Sequence, residues 1–280
     1  HRGRAAKVAA HKDGLLLGSI NAGFTPATWY EAGPTVSVTG YGNAPRFKAI
    51  ADEYMDYAWE TRHFDSNTYL SVQETVAEVN RLLPTVDGPI VVADFSDNPG
   101  SGAYGDSTFL LSGLLEANIE NACFGTICDP AAVAALIDAG EGYTATVMLG
   151  GKSDPTFGPP IEVTGTVTKI TDGTYLARGP RWRGVTHHLG PTAILTVGGM
   201  EIVVASNRLQ LTEVEAFTHA DIDPRKRSVV VVKSMQHFRA AFEPLAAAVV
   251  ICDAGALASR DISKLPFTEL RRPIYPLDID

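Results

Sequence analysis

At 280 residues, 45% hydrophobic and 20% charged, the chain has ordinary globular composition and enough length for one large core or two modest ones. A net charge of −9 argues against nucleic acid as a partner, because tracking phosphates needs clustered Lys and Arg. No apolar run approaches the roughly 20 residues of a membrane helix, so no membrane partner is expected.

The chain opens on His1-Arg2-Gly3-Arg4, without Met and with no apolar segment behind it. This is no secretory signal, and either an artificial start or a piece of a longer protein is expected. Residues 15–20 and 35–39 read as strands, the second from its β-branched run Thr-Val-Ser-Val-Thr. Asn43-Ala44-Pro45 predicts a helix start, with Asn as cap and Pro just inside, running to about His63. Ser71 followed by Glu74 is a capping-box pattern for a second helix that ends before Pro84. The breaker cluster Thr85-Val86-Asp87-Gly88-Pro89 marks the expected domain boundary, with residues 1–87 before it and 88–280 after it.

Beyond that boundary, residues 90–95 read as a buried strand, followed by a glycine-rich loop over residues 97–105 and an apolar helix to about Ala117. Thr126-Ile127-Cys128 reads as a short strand. Asp129-Pro130 opens a helix that Gly140 stops, and residues 144–149 form another strand. Residues 161–170 alternate apolar and polar, as an antiparallel strand with one wet face does. Asp172-Gly173 predicts a tight turn, with residues 174–177 as its return strand. A second pair is expected around Gly198-Gly199. A buried strand at 228–232, a helix near 237–242 and a strand at 248–252 close the series. The fold class is therefore α/β, a mixed sheet flanked by helices with an antiparallel β-hairpin insertion.

The stretch richest in chemistry runs from Asp97 and Asn98 through Gly100, Ser101, Gly102, Tyr104 and Gly105 to Asp106, Ser107 and Thr108. It leaves a strand end and enters a helix, where ligands of open α/β sheets bind. Its glycines would let backbone N–H groups face an anion or a developing oxyanion. Asp97 could orient water, bind a substrate amine or bind a metal. The plain alternative is a long connecting loop with Asp106 or Ser107 as an ordinary helix cap. Lys233, Ser234, His237 and Arg239 follow another strand end, where Lys233, His237 and Arg239 together could hold a carboxylate and His237 could shuttle a proton. The alternative there is a solvated helix start.

His187-His188 is a weak metal signal, since neighbours on an extended chain face opposite ways. Gly150-Gly151-Lys152-Ser153 tempts a phosphate-loop reading, but Thr146 stands where that motif needs Gly, and Asp154-Pro155 interrupts the helix that should follow. No nucleophile elbow is present. Arg272, near the end, is expected to pair with a carboxylate. Glu31, Asp94 and Asp253 read as surface or hydrogen-bonded carboxylates. Cys123, Cys128 and Cys252 form an odd set at no metal-ligand spacing, and read as reduced thiols in a cytoplasmic setting.

Taken together and in order, several of these stretches resemble the microcystinase C family. They are Asp97-Asn98-Pro99-Gly100 with Gly102, Gly105, Asp106, Ser107 and Thr108; Asp129-Pro130; Leu149-Gly150-Gly151-Lys152; Lys233-Ser234 with His237-Phe238-Arg239; and Arg272-Pro273-Ile274 with Pro276-Leu277-Asp278. Upstream, Gly23-Phe24 and Glu31-Ala32-Gly33 resemble the end of that family's amino-terminal domain. Ser101 and Tyr104 depart from the family pattern, where Gly and Pro are usual. The resemblance implies a zinc-dependent metallopeptidase-like hydrolase of peptide or small amide substrates. It further implies that the carboxylate and histidine zinc ligands lie in an amino-terminal domain, a missing partner of this chain, since no matching cluster appears here. On that reading Asp97 and His237 are catalytic and the remaining loop and Lys233-region residues contact substrate. A non-enzymatic small-anion-binding domain or an oligomerising domain, forming a homo-oligomer through its hairpins, is the competing expectation.

Overall fold

Four consecutive valines, Val229–Val232, are buried along their whole length, which requires a place inside a sheet covered on both faces. The computed structural model describes residues 14–23, 27–42, 44–65 and 67–279. The chain forms two units: residues 1–66 together with residues 262–280, and residues 67–261.

In the first unit, β1 (Leu15–Asn21) and β2 (Thr35–Gly40) pair antiparallel and are followed by α1 (Ala44–Glu60). The expected cap Asn43 lies outside the described residues, as does Phe24 of the upstream resemblance. Near the chain end the Arg272 guanidinium grips Asp278, the carboxylate partner expected for it. Tyr275 Oη donates to the carbonyl of Arg62 at 3.2 Å.

The second unit contains β3 (Tyr69–Leu70), α2 (Val72–Leu82), β4 (Ile90–Asp94), α3 (Phe109–Glu116), β5 (Ala122–Cys128), α4 (Pro130–Ala139), β6 (Thr144–Leu149) and β7 (Ile161–Thr171). It continues with β8 (Thr174–Leu176), β9 (Thr186–His188), β10 (Thr192–Val197), β11 (Met200–Ala205), α5 (Glu215–Thr218), β12 (Val229–Val232), α6 (Arg239–Phe242) and β13 (Ala248–Cys252). The capping box at α2 is formed, with the Ser71 amide donating to Glu74 Oε2 at 2.9 Å and the Glu74 amide donating to Ser71 Oγ at 3.2 Å. The helix and β3 precede the boundary expected at residues 87/88, yet both belong to this second unit.

The main sheet runs β3-β13-β4-β12-β5-β11-β10-β7-β6. Its β3-to-β11 half is parallel and its β11-to-β6 half antiparallel, so the expected mixed α/β architecture is what the chain adopts. Period-2 alternation divides the central strands between two cores. Ile90, Val92, Val229 and Val231 join Val79, Leu110, Leu114, Val133 and Leu136 of α2, α3 and α4. Val91, Ala93, Val230 and Val232 join Phe217 and Phe242 of α5 and α6. No described helix is long and apolar enough to cross a membrane.

Two local expectations need correction. Residues 174–177 were expected to return alongside the strand before them, but β7 already has β10 on one edge and β6 on the other. With no free edge there, β8 pairs with β9 in a small separate antiparallel sheet. Strand β5 begins at Ala122, four residues earlier than its β-branched signal. Gly125 breaks the apolar pattern, and it does so for packing: a Cβ there would lie 2.7 Å from Leu211 and 2.8 Å from Phe217.

Leu110 is fully buried on the sheet-facing side of α3. Leu110→Ala is expected to lower the unfolding free energy by about 2–5 kcal/mol in a urea titration, through lost transfer energy and a residual cavity.

Candidate functional site

The parallel strands β4, β12, β5 and β13 end side by side, and Asp94, Lys233, Cys128 and Cys252 are their last or next residues. Valines drive β12 into the middle of the sheet and leave Lys233 with no exposure at all. Its Nζ donates to Asp94 Oδ2 at 2.8 Å, to Asp97 Oδ2 at 2.7 Å and to the Ser107 carbonyl at 2.9 Å, so its three protons are all used. Burial alone would push the Lys233 pKa down, but the two carboxylates outweigh it and keep the ammonium charged. Burial holds the Asp94 carboxyl above the usual carboxylate range against the pull of Lys233, and its Oδ1 has no partner.

Asp97, 1% exposed, is committed on both oxygens. The Gly105 amide donates to Oδ1 and the Ser107 amide to Oδ2, each at 2.8 Å. The Gly100 amide turns to Asn98 Oδ1 at 2.9 Å and the Gly102 amide to the Pro99 carbonyl at 3.1 Å. The glycine amides expected to face a ligand are therefore taken by the chain's own acceptors, and the anion cradled by the loop is Asp97. Neither residue expected as an ordinary cap of α3 serves as one. Thr108 occupies the cap position and its hydroxyl donates to the Pro159 carbonyl at 2.5 Å. Asp106 Oδ2 instead accepts from the amides of Lys152 and Ser153 at 3.0 and 2.9 Å.

That contact explains the Gly150-Gly151-Lys152-Ser153 motif. Gly150 and Gly151 adopt φ of +64° and +59°, a conformation that turns successive amides to one side. Those amides are filled from within. Gly150 donates to Asp129 Oδ2, Gly151 to the Asp106 carbonyl, and Lys152 Nζ to both Asp129 oxygens at 2.7 and 2.8 Å. Asp129 also caps α4 through the Ala132 amide.

The expected binding residues thus separate. Asp97, Asn98, Ser107, Thr108, Lys233 and Ser234 are buried. Gly100, Gly102 and His237 are exposed, with Ser101, Tyr104 and Arg239 partly so. Lys233, His237 and Arg239 do not converge on one carboxylate. Lys233 points inward, while Arg239 is held by Gln236, Glu243 and Asn67 and lines a groove of about 470 Å³ with Leu70 and Val250. His237 meets Gln210, an unanticipated member of the site. Gln210 Oε1 is 3.4 Å from His237 Nδ1, Nε2 donates to Ser234 Oγ at 3.1 Å, and the side chain packs on Gly100, where a Cβ would be 2.4 Å from Oε1. No motif flags Gln210; only the fold brings it there. Desolvation, with the Arg181 charge in reach, lowers the His237 pKa, so its imidazole is neutral at pH 7.

Among the described residues no three His, Cys, Asp or Glu side chains converge to hold a metal ion. Burial pushes the Cys128 thiol up to about 11 and the Cys252 thiol to about 12, and raises Cys123 as well, so all three are protonated at neutral pH. His187 and His188 part ways, His187 packing on Tyr175 and Trp182 while His188 reaches Thr174 Oγ1.

Residues 92–269 match the family model described as the MlrC C-terminus. The chain belongs to that family. It is similar to Microcystinase C of Sphingomonas sp., with 28% identity over 269 residues, covering 94% of this chain and 50% of that protein. Its fold is that of a crystal structure from Mesorhizobium sp. BNC1 described as a "putative metallopeptidase" (TM-score 0.87, 22% identity, 99% of this chain and 55% of that one). The chain thus spans about half the length of each of these proteins. The family model starts inside β4 and takes in the Lys233 triad and both glycine motifs.

Two predictions test the electrostatics. Lys233→Met leaves two buried carboxylates without their cation and should cost about 3–5 kcal/mol in chemical denaturation, part of it recovered by adding Asp94→Asn. Burial also lowers the pKa of His219 and His187. The unfolded chain then binds more protons than the folded one below about pH 6.5, so stability is full above that pH and falls as pH drops through it. His219→Gln should flatten that fall in denaturation curves taken between about pH 7 and 5.

Proposed function

We propose that this chain is the substrate-side part of a metal-dependent hydrolase of peptide or small amide bonds, with zinc held by ligands outside it. The observation that carries this reading is membership of the MlrC C-terminus family at half the length of its matched curated relative. A bound zinc would supply an activated water to the amide carbonyl. This chain would supply the wall that receives the substrate: Gly100, Ser101, Gly102 and Tyr104 at the loop surface, with His237 beside them. His237, neutral and exposed, takes or returns a proton. Asp97 acts by fixing the loop, since neither of its oxygens is free for substrate.

On the same reading the first unit closes the metal-bearing domain, in place of the whole of residues 1–87, because β3 and α2 are built into the second unit's sheet and core. The first unit exposes Leu16, Leu17, Trp29, Tyr41 and Phe64 at 60–78%, apolar surface suited to burial against further protein. Three free thiols fit a reducing, cytoplasmic setting. The small-anion-binding alternative loses its main support, because the chain's own aspartates occupy both glycine-rich loops.

The test is elemental analysis and peptide hydrolysis with the intact protein. Stoichiometric zinc, with hydrolysis lost on chelation and absent from the 280-residue chain alone, is expected. Hydrolysis by metal-free intact protein would overturn the reading. His237→Ala in the intact protein should lower kcat/KM by about 10²–10⁴ without changing zinc content.

A further inference from the structure

The loop joining β8 to β9 reads Arg178-Gly179-Pro180-Arg181-Trp182-Arg183-Gly184, three arginines in six positions of a chain whose net charge is −9. All three are exposed, and none forms an ion pair among the described residues. Trp182 is 41% exposed, with the Arg181 guanidinium 5.2 Å from its ring centroid. A solvated turn has no need of such a composition.

The tip is also held in place. Buried Glu213 accepts from the Trp182 amide at 3.1 Å. Gly179 presses so closely on that carboxylate that a Cβ would lie 1.7 Å from Oε2. The Ala177 amide donates to the Val185 carbonyl and the Gly184 amide to the Ala177 carbonyl, closing the loop on itself. Glu213 stands three residues after Gln210, whose side chain reaches Ser234 and His237 and packs on Gly100. One short segment therefore buttresses the arginine tip on one side and the glycine loop with His237 on the other. Arg208, exposed on the same segment and likewise without an acid among the described residues, donates to the Ala103 carbonyl at 3.5 Å. Arg208 and the three arginines of the tip are thus exposed basic side chains on an acidic protein. Arg181 is also close enough to disfavour the protonation of His237.

We propose that Arg181 and Arg183, flanking Trp182, form a carboxylate-binding subsite at the tip of the β8–β9 loop that selects peptides carrying a free carboxylate. That such a peptide is a substrate rests on the hydrolase reading above, but the subsite itself does not. A guanidinium offers two parallel N–H donors to a carboxylate, and the indole face supplies an apolar floor for the adjoining residue.

The probe is N-acetyl-tetraalanine with a free carboxyl end, compared with its terminal amide. Each is titrated into the ¹⁵N-labelled 280-residue chain while the Trp182 indole resonance, assigned through Trp182→Phe, is followed. The acid is expected to bind at least about tenfold more tightly than the amide, with a preference that weakens as salt is added. Arg181→Gln with Arg183→Gln should remove that preference and leave amide binding unchanged; both side chains are exposed, so the fold is kept. No binding of the acid, equal binding of acid and amide, or an unchanged preference in the double variant would overturn the subsite. Equal displacement by inorganic phosphate would overturn it too, by showing a general anion patch. If the acid preference holds and the intact protein cleaves no peptide, the hydrolase reading fails and the subsite stands. Cleavage of acid and amide at equal kcat/KM, unaffected by the double variant, means the reverse: the hydrolase reading stands and the subsite fails.

Discussion

The ammonium of Lys233, buried at the end of four buried valines, is the constraint on which the loops of the second unit depend. An unpaired charge at that depth costs several kcal/mol. Asp94, at the end of the neighbouring strand, supplies one counter-charge, and Asp97, three residues on, supplies the second. For Asp97 to turn back under the sheet end, the chain after it must fold over it. The Gly105 and Ser107 amides then close on its carboxylate, which fixes where α3 begins.

The same principle repeats one layer out. Asp106 and Asp129 draw in the amides and ammonium of the residue 150–153 loop, as Asp97 draws in those of its own loop. A cradle of amides on positive-φ glycines attracts any carboxylate, whether it comes from a ligand or from the chain. Here the chain fills its cradles with its own carboxylates, which fixes the loops that form them. His237, Arg208 and the arginine tip face solvent, with Tyr104 partly exposed.

The two halves of the sheet divide the labour. The parallel half carries the buried charges at its strand ends, where converging loops make a floor. The antiparallel half leaves no edge beside β7, so the β8–β9 excursion becomes a separate two-stranded sheet that packs its Tyr175 into the second core. Glu213 then fixes its tip, converting a surface loop into a placed one.

Much of this was determined by the sequence alone. The valine strands, the Ser71–Glu74 capping box, the Asp129-Pro130 helix start and the turn at Gly198-Gly199 are local, each set by residues within a few positions. The order of the motifs along the chain carried the family resemblance in the same direct way. What only the tertiary structure decided is which way the polar groups face. Lys233 meets Asp94 and Asp97 across 139 and 136 residues of chain, and Gln210 meets His237 across 27. Spacing along the sequence marks a residue as polar and near a strand end. Whether it turns to substrate or into the floor depends on a partner that packing alone delivers, because a charge goes wherever its desolvation is best compensated.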